Sequence, residues 1–124
     1  MKHHFTPAEA NRTLPLVRRI VVDVLERGRE LRALAAGPVN QTVGDRLWKL
    51  EHELMDLMAE LEQVGCSYKD FGFEQGLVDF PSSIEGTDVL LCWKSDEPAV
   101  THYHGFEDGF AGRRPIPSEL LSGD

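Results

Sequence analysis

Apolar residues recur in steps of three and four through the first half of the chain, and in alternation after Gly65. The first spacing predicts helices and the second predicts strands, because side chains three or four apart share a helix face and those two apart share a strand face. Thr6-Pro7-Ala8-Glu9 reads as a helix start: Thr6 is an N-cap, Pro7 occupies the first helical position and Glu9 completes a capping box. Pro15 removes a backbone donor and crowds the preceding turn, so a short helix over about 7–12 and a long one over about 14–35 are expected. Within the long helix Leu14, Val17, Val21, Val24, Gly28, Leu31 and Ala35 form a heptad-like seam, with Gly28 permitting close approach. Ile20, Val22, Leu25 and Leu34 widen that stripe, so the helix is expected to touch a second layer as well.

Gly37-Pro38 stops the first helix, and Thr42 with Asp45 opens the next. Leu47, Leu50, Leu54, Leu57, Leu61 and Val64 make the second seam, with Trp48, Met55 and Met58 outside it and Gly65 as a left-handed C-cap. Two seams and a short loop give an antiparallel hairpin with arms of about 30 Å at 1.5 Å per residue. The charged remainder of these helices, Glu53 included, reads as a solvated face.

Past Gly65, strands are expected near 66–69, 77–80, 89–93 and 100–104, with turns at Glu85-Gly86 and at 95–98. Pro81 marks an end, a bulge or an edge. The 66–70 segment can pair beside 77–80 or at the far edge. Residues 109–117 read as an extended arm packed through Phe110 and Ile116, and 118–124 as frayed. The expected fold is therefore α+β in one domain over 1–124. A long antiparallel helical hairpin (about 7–65), preceded by the short capped helix, packs with a three- to four-stranded antiparallel meander (about 66–105), and an arm over about 106–124 follows.

Composition agrees with one ordinary globular domain: 124 residues, 41% hydrophobic and 27% charged. The formal net charge of −8 argues against nucleic acid and against an anionic membrane surface as partners. No apolar run nears the roughly 18 residues of a bilayer span, and the polar start lacks a signal-peptide pattern, so a cytoplasmic protein is expected. Cys66 and Cys92 form no CxxC pair and read as two small buried thiols. His3-His4 reads as a tag remnant or an exposed arm.

Three constellations carry candidate chemistry. His102-x-His104 places two imidazoles on one strand face, where they could share a divalent transition metal ion with a third ligand from Asp79, Glu97 or a helix carboxylate such as Glu53. Cys92 is a candidate nucleophile only beside a base. A tight Glu85-Gly86 turn sets it opposite Asp79, which would raise its pKa. A four-residue second turn pairs His102 with Trp93 and His104 with Leu91, leaving Cys92 on the other face. The third constellation is the polar set Lys69, Asp70, Asp79, Glu97, Arg113 and Arg114, in which Arg113 can hold a carboxylate in a forked pair. Trp93 with Tyr103 can line an apolar pocket or belong to the core. No phosphate-cradling glycine loop and no nucleophile elbow is present, and no catalytic set is assigned.

Several strings, in order, resemble a known family: Phe5-Thr6-Pro7-Ala8-Glu9-Ala10-Asn11, Leu14-Pro15, Lys69-Asp70, Gly76-Leu77-Val78-Asp79-Phe80-Pro81, Leu91-Cys92-Trp93-Lys94, Glu97-Pro98 and Gly109 to Ile116. Over about residues 5–117 they resemble the bacterial family called domain of unknown function 2203, whose name carries no activity. The resemblance implies that Glu9, Asn11, Lys69, Asp70, Asp79, Cys92, Trp93, Glu97, His104 and Arg113 belong to its pattern. That pattern usually reads Trp-His where this chain has Tyr103-His104, so His102 falls outside it.

Two functions of different class follow. The wide apolar stripes favour a non-enzymatic, self-associating interaction module, a homodimer. The alternative is a metal- or small-ligand-binding protein with its site on the sheet and loops around His104.

Overall fold

A computed structural model describes residues 4–121. Helix α1 runs over Pro7–Ala35 and helix α2 over Gln41–Val64. Strands follow as β1 (Ser67–Tyr68), β2 (Leu77–Ile84), β3 (Thr87–Lys94) and β4 (His102–His104), then a 3₁₀ turn (Phe110–Gly112), β5 (Arg114–Pro115) and a short helix α3 (Ser118–Leu121). The fold is α+β, a helical hairpin with one antiparallel sheet in the order β1-β2-β3-β4-β5.

The first helix is continuous where a break at Pro15 was expected. The capping box forms as read, with Thr6 Oγ1 accepting from Glu9 N and Glu9 Oε1 accepting from Thr6 N. Side chains around the missing donor hold the turn together. Thr13 Oγ1 donates to the Glu9 carbonyl at 2.6 Å. Asn11 donates to the Pro7 and Val100 carbonyls and accepts from Val100 N at 2.7 Å. These long-range bonds to residue 100 anchor α1 on the segment leading into β4, and tertiary anchoring outweighs the local cost of one proline. The second helix is capped by Asn40, whose Oδ1 accepts from Val43 N, where Thr42 was expected. Gly65 (φ 112°) closes it as the left-handed residue.

Val17, Val21, Val24 and Leu61 are fully buried, and with Val78, Phe80, Leu91, Trp93 and Val100 they make one core between hairpin and sheet. Val22 lies outside this stripe and is exposed. Gly28 serves a different partner from the one its seam position suggested. A Cβ there would meet the Phe73 ring at 2.2 Å, so the missing side chain admits an aromatic ring from the β1–β2 loop. Phe73 sits at φ 58°, a region unfavourable for a bulky residue. Its loop is held by Asp70, which accepts from Gly72, Glu74 and Gln75 N–H groups, and by Arg29, which donates to the Phe73 and Glu74 carbonyls.

The sheet has five strands where three to four were expected. The C-terminal arm supplies the extra one: Arg114–Pro115 pairs with Tyr103 and His102, and Pro115 is tolerated because it lies at the sheet edge. Segment 66–70 pairs beside β2, through Ser67↔Asp79 and Tyr68↔Val78. Pro81 interrupts nothing, since β1 reaches only as far as Asp79, and the Pro81 carbonyl accepts from Phe5 N at 2.7 Å. Residues 118–121, read as frayed, form α3; residues 122–124 and His3 lie outside the described residues.

A candidate metal site on the outer face of the sheet

The Glu85-Gly86 turn is tight and fixes Asp79 opposite Cys92. The connection from β3 to β4 is longer than the four residues expected, running from 95 to 101, and it changes the register. His104 pairs with Leu90, Tyr103 with Leu91 and His102 with Cys92. A one-residue shift in pairing exchanges the faces of a strand. Cys92, expected on the opposite face from the histidines, therefore shares a face with Asp79, His102 and His104. That face points away from the helices. Neighbouring residues Leu91 and Trp93 project into the core.

An outward sheet face is usually polar and wet. Here Asp79, Cys92 and His104 are 5%, 2% and 4% exposed, so desolvation governs their chemistry. Residues 105–113 contribute to the cover: a cavity of about 240 Å³ over the three residues is lined by Lys69, Leu77, Leu90, Phe106, Gly109 and Phe110. One donor or acceptor atom from each of Asp79, Cys92 and His104 lies within 4.8 Å of the others, the one such group of three among the described residues.

The hydrogen bonds of His104 define what the group needs. Its Nδ1 lies 2.8 Å from the Gly105 carbonyl, which can only accept, so Nδ1 carries the hydrogen. Nε2 then turns toward Asp79 Oδ1 at 3.3 Å. Two lone-pair atoms at that distance require a cation between them, either a proton or a metal ion. Burial pushes the Asp79 carboxyl above its ordinary range, and His104, Lys69 and Cys92 offset this only in part. Burial, followed by the charge of Asp79, pushes the Cys92 thiol up to about 11, against a weaker opposite pull from Arg113. A free Cys92 is accordingly a poor nucleophile at neutral pH, although the expected separation of thiol and imidazole does not hold. Cys66, at the end of α2, is pushed by burial to about 12 and packs in the core as expected.

Glu97 and Arg113 form the second polar unit. Arg113 Nη1 donates to Glu97 Oε2 at 2.6 Å and Nη2 to Oε1 at 2.8 Å, the forked geometry foreseen. Nη2 also donates to the Cys92 carbonyl at 2.9 Å, and Lys94 N donates to Glu97 Oε1. The pair thereby braces the backbone from which the thiol projects. Arg113 Nε is buried without a partner among the described residues. Trp93 belongs to the core and not to a pocket, with its Nε1 donating to the Glu97 carbonyl at 2.9 Å. His102 is half-buried and its Nδ1 contacts Thr101 Oγ1 at 2.9 Å, outside the group of three. Asp70 scaffolds the Phe73 loop, and Glu53 pairs with Arg27 between the helices. Arg114 lies over the Tyr103 ring.

A family model described as an uncharacterized conserved protein, DUF2203, matches residues 3–116. The chain belongs to the DUF2203 family. No curated protein and no solved structure matches it. The match spans every strand and both long helices, so the DUF2203 region contains the whole of the Asp79–Cys92–His104 group. No helix among the described residues is long and apolar enough to cross a membrane. Sequence reasoning named all three residues of the group and separated two of them. Phe106, Leu90 and the Gly105 carbonyl were missed, since the outer face of β2 and β3 mixes Leu77, Pro81 and Leu90 with Asp79 and Cys92, and residues 105 and 106 lie beyond the strands.

Proposed function

We propose that this protein binds a divalent transition metal ion, zinc by preference, through Asp79 Oδ, Cys92 Sγ and His104 Nε2. The observation that carries this reading is the convergence of His104 Nε2, an Asp79 carboxylate oxygen and Cys92 Sγ within 4.8 Å of one another at the floor of a cavity. Thiolate, imidazole and carboxylate together suit zinc. Around a tetrahedral ion such atoms stand about 3.3–3.8 Å apart, given metal–ligand distances of about 2.0–2.3 Å. The 3.3 Å of the His104–Asp79 pair already meets that span, and Cys92 Sγ lies within 4.8 Å of both. The bond from Nδ1 to the Gly105 carbonyl is the orienting contact that metal-bound histidines commonly make. An ion would displace the thiol proton and relieve the burial penalty on both acids.

The test is a zinc titration of tag-free, metal-stripped protein followed by elemental analysis. One ion per chain and a raised Tm are expected, with both effects lost in Cys92→Ser. A chain that takes up no transition metal, while folding normally, would sink the reading.

A second reading is self-association of two copies through the hairpin. It is supported by exposed Trp48 (63%), Met55 (64%) and Phe71 (62%), which accompany half-buried Leu31 and Met58. Between residues 29 and 49 no residue of the hairpin is buried, so its far half lacks a core of its own. Apolar surface of this kind marks interaction sites. Light scattering at micromolar concentration should report a dimer that Met55→Lys dissociates. A strict monomer at every concentration rules it out.

A further inference from the structure

The ion of the proposed site would have three protein ligands and hence one open position, facing the cavity. Around that opening the described residues are unusual in two ways. Phe106 and Phe110 line the cavity and are still 55% and 37% exposed, the Phe110 ring lying 4.8 Å beneath the Arg113 guanidinium. Lys69 lies on the same face of the sheet as Leu77 and Asp79, because Lys69 N donates to the Leu77 carbonyl and continues the β1–β2 pairing. It lines the cavity, is exposed, and makes no ion pair among the described residues.

We propose that this cavity takes a small monocarboxylate with an apolar body, aryl or short alkyl, its carboxylate completing the ion's coordination beside Lys69. The inference rests on the metal reading above and adds the ligand class. Charge selects the head group. A divalent ion held by one thiolate and one carboxylate is formally neutral, so Lys69 leaves the cavity with a single positive charge, which one carboxylate matches. A neutral alcohol leaves Lys69 unpaired, a cation meets it with like charge, and phosphate brings excess charge to an apolar wall. Size and lining select the rest. About 240 Å³ lies below the roughly 300–1,000 Å³ typical of drug-sized sites, so the body is small. Leu77, Leu90, Phe106 and Phe110 offer it only apolar contacts.

Full-length protein loaded with cobalt in place of zinc provides the readout, since the ion's visible absorption reports its coordination. Benzoate should shift the bands saturably, while benzyl alcohol, benzylamine and phosphate should leave them unchanged. Lys69→Met should keep its cobalt affinity and lose roughly ten-fold or more in benzoate affinity, the scale of one charge-assisted hydrogen bond. Cobalt held with a thiolate charge-transfer band but indifferent to benzoate would overturn this inference and leave the metal reading standing. Equal response to benzyl alcohol or phosphate, or undiminished benzoate affinity in Lys69→Met, also overturns it. Failure to bind cobalt at all removes both.

Discussion

Replacing His104 with alanine is expected to cost about 3–4 kcal/mol near neutral pH in metal-free protein, because it strands a buried carboxyl group. His104 supplies the two largest influences that oppose the burial penalty on Asp79, its charge and its hydrogen bond. Without them the Asp79 carboxyl titrates higher still. The sign follows from the raised value: the contribution of such an acid is fully present below its unfolded pKa and is lost as pH rises through its folded pKa. The deficit of His104→Ala should therefore be largest near neutral pH and shrink as pH falls toward the ordinary aspartate range. Asp79→Asn removes the charge while keeping the shape, and should cost less, about 1–2 kcal/mol. Urea denaturation at several pH values checks both. Equal losses for the two variants at every pH would show that packing, and not the buried charge, sets the effect. Both variants should also abolish zinc uptake.

Glu97→Gln is the second large effect, about 2–3 kcal/mol, since it leaves the half-buried Arg113 guanidinium with a weaker acceptor. Burial raises the Glu97 carboxyl, but the bonds from Arg113 and Lys94 N outweigh it, and the net displacement is downward. A lowered carboxyl contributes stability above its unfolded pKa, near 4.5, and loses it as pH falls through the lower folded value. The gap between wild type and Glu97→Gln should thus be constant near neutral pH and close on acidification, opposite in origin to the Asp79 case. Denaturation curves that stay equally separated at low pH would contradict the assignment. Because Arg113 Nη2 also holds the Cys92 carbonyl, the same variant should weaken zinc binding.

How much of this was legible in the sequence depends on the kind of signal. The hairpin was, because its two seams carry many residues each and tolerate one dissenting proline; Pro15 failed as a breaker because Asn11 and Thr13 answer to Val100 and Glu9. The tight turn at Glu85-Gly86 was legible too, and with it the Asp79–Cys92 pairing. The site was not, for a reason that lies in the 95–101 connection. Its length decides whether His104 falls on the core face or the outer face, and no periodicity encodes loop length. Pro115 similarly hid β5, since proline argues against strands everywhere except at an edge. The cover over the site, from Gly105 to Arg113, has no repeating pattern at all.

The Gly105 carbonyl accepts from two donors, His104 Nδ1 and Asp108 N, the latter closing the turn between Phe106 and Phe110. A Cβ on Gly105 would meet Asp108 Oδ2 at 2.7 Å, so a larger residue here would have to displace the carboxylate that accepts from Gly105 N. The orientation of a metal-binding imidazole and the order of an aromatic wall thus hang on one oxygen. Whatever steadies the wall steadies the ring, and by reciprocity an ion on the ring steadies the wall. Metal and ligand would then each enhance the other's binding even if they never touched.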